Sequence, residues 1–141
     1  VRVIFGPIAD KFGGAKVTML SAIGLIACSA LIVPYTAPTS MESWKPFLFL
    51  MLGIFFFSGV GNASTFKQIP MIFQPRQASG VIGWTSAIAA YGPFIVSVLL
   101  AAIMGTGKNA STFFMGLCAF CVLNAVINWA FYARKNAERP C

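Results

Sequence analysis

Arg2 is the residue whose type and place most suggest chemistry. It stands eight residues before Asp10, about two helical turns deeper in the bilayer than the turn that Asp10, Lys11 and Lys16 place in water. An arginine within an apolar span costs at least about 2.5–3.5 kcal/mol, so it usually faces a cavity and has a partner. Its planar fork of donors suits a planar oxyanion. The other reading is an arginine that snorkels to the headgroups along its aliphatic stem. Position alone leaves both open.

A second feature lies in the apolar run 80–104. Gly83, Ala87 and Ala90 fall at i, i+4 and i+7, with Gly80 and Ser86 close by, so one helical face carries only small residues. In lipid, helices associate through close backbone approach, and such a face implies tight packing or a close-fitting ligand. Asn62, Ser64 and Thr65 add neutral donors to an earlier run, among Gly59 and Gly61. Intramembrane hydroxyls and amides often make interhelical hydrogen bonds worth only about 0.6 kcal/mol. Tyr91 either donates to a substrate or packs with Trp84, and packing is the simpler reading. Lys67 reads as snorkelling to the headgroups.

The residues that are missing narrow the chemistry further. The acidic residues are Asp10, Glu42 and Glu138, each in a loop or turn, and there is no His. Nothing within a span binds a cation by charge or relays a proton. That disfavours cation channels, haem anchors and carboxylate-driven pumps. A positive, donor-rich interior suits an anion. No metal or other cofactor is implied: Cys118 and Cys121 form a C-x-x-C in the middle of an apolar helix, without a second pair, and read as packing residues.

The elements that position these groups are transmembrane helices. Of 141 residues, 58% are apolar and 9% charged, where a soluble domain has about a quarter charged. The fold class is therefore all-α, a polytopic membrane protein. The spans run over residues 1–9 (the end of one), 17–35, 46–66, 80–104 and 111–132, with a polar tail at 133–141. The second complete span has room to continue past Lys67 towards Phe73, and residues 74–79 read as a short basic loop. The chain opens on Val1 in mid-pattern, without initiator Met or signal peptide, and reads as a fragment of a longer protein.

Lys11, Lys16, Arg76, Arg134, Lys135 and Arg139 collect at one set of span ends, with Lys67 close by; Lys45 and Lys108 lie at the other. The first side is expected to be cytoplasmic, with the C-terminus inside. The net charge of +7 sits at span ends and not on a soluble face, so no nucleic-acid partner is expected. The N-x-S triplets at Asn62 and Asn109 lie in a span and a very short loop, and neither reads as a glycan site.

Two stretches carry a family resemblance. Gly6-Pro7-Ile8-Ala9-Asp10-Lys11-Phe12-Gly13 resembles the G-x-x-x-D-[RK]-x-G loop of major facilitator transporters, with Gly14 where a basic residue is usual. Gly61-Asn62-Ala63-Ser64-Thr65-Phe66, followed by Gly83-Trp84-Thr85-Ser86-Ala87-Ile88-Ala89-Ala90-Tyr91-Gly92-Pro93-Phe94, is similar to the C-terminal half of the nitrate/nitrite porters. The resemblance places the chain from the end of the eighth helix to the C-terminal tail. It implies nitrate and nitrite as substrates, a bacterial inner membrane, and a missing N-terminal half as partner beside the lipid bilayer. It also implies that Arg2 is the C-half arginine of a central anion site, with Gly83, Asn62 and Ser86 beside the substrate. Gly6, Asp10, Lys11, Gly13, Gly61 and Ala87 would then be structural and gating positions. Alternating access would be by rocking of the two halves, with exchange or proton symport both open and no enzymatic activity. A carrier for another small anion, or a non-transport membrane subunit, are the rival readings.

Overall fold

A computed structural model describes residues 11–37, 41–107 and 109–134. The described residues form helices joined by turns, with no strand. Helix α1 is Gly14–Ile32, followed by a 3-10 turn at Val33–Tyr35 that holds Pro34; α2 is Trp44–Ile72, α3 is Pro75–Gly105 and α4 is Ser111–Asn128. A five-residue π-helical turn, Trp129–Ala133, prolongs α4. With these extensions, all four are long and apolar enough to cross a membrane.

Local chemistry sets the boundaries. Gly13 takes φ 92° and ψ 132°, a conformation that glycine adopts without steric cost, and α1 starts directly after it. The stretch expected as a basic loop at 74–79 is mostly helix. Gln74 is extended and Pro75 occupies the first turn of α3, where its missing N–H costs nothing and its φ is already helical. The helix therefore takes in Arg76. At 29 residues, α2 is about 43 Å long, well beyond the ~30 Å hydrocarbon core.

The tight seam of the fold joins α1 and α2. A Cβ built on Gly14 would lie 2.7 Å from Gln68 Cγ and 3.3 Å from the Ser64 carbonyl oxygen. One on Gly61 would lie 2.7 Å from Ser21 Oγ, and one on Gly53 would lie 2.9 Å from Cys28 Sγ. Gly24 faces the ring of Phe57, which leaves no room for a methyl group. The pairs 14–68, 21–61, 24–57 and 28–53 run in opposite directions at a constant register, so the helices are antiparallel. Small residues at each crossing allow the backbones to approach.

Helix α4 lies antiparallel along another side of α1. Asn128 Nδ2 donates to the Ala15 carbonyl at 3.0 Å, and Cys118 Sγ reaches the Ile26 carbonyl at 3.9 Å. The buried residues Ala15, Val17, Ser21, Ala22, Ser29 and Ile32 make α1 the centre of a three-helix unit. Helix α3 stands outside it. Among the described residues only Ala78 of its 31 residues is buried.

Candidate functional site

The polar side chains of α1, α2 and α4 meet in a cleft of about 410 Å³, to which α3 contributes no lining residue. Its wall combines Thr18 and Ser21 of α1, Asn62, Thr65 and Gln68 of α2, and Asn124 and Asn128 of α4. Tyr132, on the π-helical turn, also lines it. Leu25, Phe120 and Ile127 supply apolar wall.

Much of this polarity is tied up between the helices. Gln68 Nε2 donates to Thr18 Oγ1 at 2.8 Å. Thr18 shares its one proton between the Gly14 carbonyl at 2.9 Å and Ser64 Oγ at 2.8 Å. Ser64, fully buried, donates to the Gly61 carbonyl at 3.0 Å. Ser21, Thr65 and Asn124 each donate to a carbonyl of their own helix. The exception is Asn62, whose buried Oδ1 has no hydrogen-bond partner. A buried acceptor left unpaired costs about 1–3 kcal/mol.

The charges among the described residues lie towards the helix ends. Lys11, Lys16, Arg76 and Arg134 are exposed at the end of the bundle where α1 and α3 begin and α2 and α4 end, with Lys67 on the last turns of α2. Among the described residues the only carboxylate is Glu42, at the opposite end beside Lys45. No group of three metal-ligating side chains occurs among the described residues. Cys121 is buried and Cys118 half-buried, on the side of α4 that meets α1.

The residues singled out in the sequence fall into separate places. Arg2, Gly6 and Asp10 lie outside the described residues. Lys11 is exposed, Gly13 makes the turn into α1, and Gly61 sits in the α1–α2 seam. Gly83, Ser86 and Ala87 share one exposed face of α3, where a Cβ on Gly83 would meet nothing within 4 Å. Ser86 donates to its own helix, at the Ile82 carbonyl, at 2.7 Å. Trp84 and Tyr91 are 72% and 66% exposed, so they pack neither with each other nor against another described helix. The structure thus brings Gly83, Ser86 and Ala87 together and sets Asn62 apart from them, in the cleft. Sequence reasoning passed over Gln68, Asn124 and Asn128. The signal was available: Asn124 and Asn128 are amides one turn apart in an otherwise apolar span.

The sequence pattern of the Major Facilitator Superfamily matches residues 1–140. The chain is similar to a probable nitrate/nitrite antiporter, NarK2, of Thermus thermophilus, with 57% identity over 140 residues, 99% of this chain and 32% of that protein. It is similar to the nitrate/nitrite transporter NarU of Salmonella typhimurium, with 27% identity over 158 residues, 95% of this chain and 34% of that protein. A nitrite extrusion protein of Bacillus subtilis is 25% identical over 136 residues, 96% of this chain and 33% of that protein. The chain spans about a third of the length of these curated relatives.

Proposed function

The chain belongs to the Major Facilitator Superfamily, and from that premise we propose that it forms the C-terminal part of a carrier for nitrate and nitrite that works by alternating access. It is a multi-pass membrane protein, with four helices able to cross a bilayer. The observation that carries the substrate assignment is the 57% identity, over nearly the whole chain, to a relative named as a nitrate/nitrite antiporter. In this reading the residues run from the end of the eighth helix to a cytoplasmic tail in a bacterial inner membrane. The protein moves its substrate without transforming it.

The anion site would be built from Arg2 and the small face of α3. The guanidinium supplies charge and a planar donor fork matched to a planar oxyanion. Gly83 leaves space for the anion or for a moving helix, and Ser86 and Ala87 keep the neighbouring turn small. The open face of α3 supports this arrangement, since it leaves room for a second wall from the other half of the carrier. Gly6, Asp10, Lys11 and Gly13 would form the loop that controls rocking, and Gly61 the seam that keeps α1 and α2 one rigid body. Uptake of nitrate, nitrite and a carboxylate into proteoliposomes holding the full-length protein tests the assignment. Saturable nitrate and nitrite uptake is expected; carboxylate uptake in their place would overturn it.

A further inference from the structure

We propose that the cleft is a furrow that seats a transmembrane helix from the part of the carrier outside this chain, and that this helix brings hydrogen-bond donors to the amides of the furrow. The inference rests on the reading above that these residues are one part of a longer carrier; the chain matches only 32% of the Thermus thermophilus relative. Three observations carry it. The first is shape. Helices α2 and α4 both pack on α1 but barely on each other, so α1 is the floor of the cleft and α2 and α4 are its walls. The lining residues run from Ser58 to Gln68 on α2, and from Phe120 to Tyr132 on α4 and its π-helical turn. That is about 15–18 Å along the helices, or roughly three turns of one more helix, and α3 does not enter it.

The second observation is what the walls offer. Gln68, Asn124 and Asn128 commit their NH2 groups to Thr18, Phe120 and Ala15, which leaves their carbonyl oxygens as the groups to be met. Asn62 Oδ1 is buried without a partner. A half-turn of this amide about its soft terminal torsion brings the oxygen round to the cleft that Asn62 lines. Contacts already described fix the heights of these groups. Gly61 meets Ser21 and Gln68 meets Gly14, whereas Asn128 bonds to Ala15 and Cys118 reaches Ile26. On those registers Asn62 and Asn124 stand level with Met19 and Leu20, on opposite walls. Gln68 and Asn128 stand level with Gly14 and Ala15, about 8 Å away along α1. The furrow thus carries two rungs of acceptors. The third observation is the medium. Acyl chains have no donor to give, so polar groups at membrane depth are met by protein or by water. Leu25, Phe120 and Ile127 make the rest of the lining apolar, and a helix supplies both kinds of side chain where water supplies one.

Photocrosslinking of the full-length protein identifies the occupant. With photoreactive benzoylphenylalanine in place of Phe120, the expected adduct lies within the same polypeptide, on an apolar segment outside these 141 residues. That segment should carry donor side chains about five residues apart, the spacing of the two rungs. An adduct on lipid or detergent, on α3, on a second copy, or on a segment without donors would overturn the proposal. Thr65→Cys and Asn124→Cys give a second measurement that does not need the photoreactive group. Both positions line the cleft and are exposed among the described residues. In the full-length protein each new thiol, read by peptide mapping, should lose its reactivity towards water-soluble and bilayer-soluble maleimides alike, and regain it in SDS. Labelling of the native protein by the first reagent would make the cleft water-filled, and by the second lipid-filled; either would overturn the proposal. Nitrate uptake by the unmodified protein separates this inference from the proposed function. The adduct without uptake keeps the helix in the furrow and removes the substrate assignment, and uptake without the adduct does the reverse.

Discussion

Replacing Gly24 by Ala tests the α1–α2 seam most directly. The added methyl would stand 2.5 Å from Cγ and Cε1 of Phe57, about 1 Å inside the 3.5–4.0 Å at which carbon atoms attract. Because Cγ is the root of the ring, turning the ring in place brings no relief. Either Phe57 changes rotamer or α1 and α2 move apart. Overpacking of this kind costs about 1–3 kcal/mol. Ala recovers roughly 0.5–1 kcal/mol over Gly in a helix through backbone entropy. The net loss is therefore up to about 2.5 kcal/mol, and the unfolding midpoint of the full-length protein in detergent should fall. Two controls bracket the result. Gly116→Ala in α4 meets nothing within 4 Å, and Gly53→Ala meets only the terminal Sγ of Cys28, which can rotate aside. Gly116→Ala should therefore gain about 0.5–1 kcal/mol and Gly53→Ala should be near neutral, while Phe57→Leu should restore much of what Gly24→Ala loses, as expected for residues in contact. If Gly24→Ala and Gly116→Ala shift the midpoint equally, the seam is not packed as described.

The other predictions concern transport. Gly83→Leu should abolish nitrate uptake by the full-length carrier yet leave the α1–α2–α4 unit folded, because α3 gives that unit almost no buried surface; uptake and circular dichroism on one preparation check both halves, and normal uptake would make the small face merely lipid-facing. Arg2→Lys keeps the charge but loses the bidentate fork, so nitrate uptake in proteoliposomes should be abolished or greatly weakened with insertion intact; near-normal affinity would reduce Arg2 to a snorkelling residue. The 141-residue chain alone should give no saturable nitrate or nitrite flux above protein-free liposomes, since it supplies one wall of the proposed site; saturable flux would overturn the half-carrier reading.

The helices were legible because lipid imposes a simple rule: an apolar run near 20 residues without charge, ended by Gly, Pro or Lys. The start of α3 was not, because Arg76 looked like loop chemistry while Pro75 was already the first turn of a helix. Small residues marked helix faces equally in two places, and the sequence could not rank them. Gly14, Ser21 and Cys28 recur every seven residues on α1 and meet Gln68, Gly61 and Gly53. The face through Gly83 and Ala87 meets no described helix. Spacing reports which residues share a face; it does not report what lies opposite. Asn62 shows the same limit, since its place beside Gly61 said that it was intramembrane but not that it turns towards α1 and α4.

Gly14 links the departure from the loop pattern to the packing. A basic residue is usual at that position in the resembling loop, yet here even a Cβ would press on Gln68 Cγ at 2.7 Å and approach the Ser64 carbonyl at 3.3 Å. The space a longer side chain would need is taken by Gln68, which is itself held by its bond to Thr18. Thr18 is anchored to the Gly14 carbonyl and to Ser64. The helix start, the missing charge and the buried amide are thus parts of one arrangement. Glycine permits the close approach, the approach brings Thr18 within reach of Gln68 and Ser64, and neutral hydrogen bonds tie together the helix ends nearest the loop. Such bonds hold in a low-dielectric seam without the desolvation cost that a buried charge would bring. The basic side chain that remains, Lys16, is exposed, two residues further on and on the side of α1 turned away from the seam.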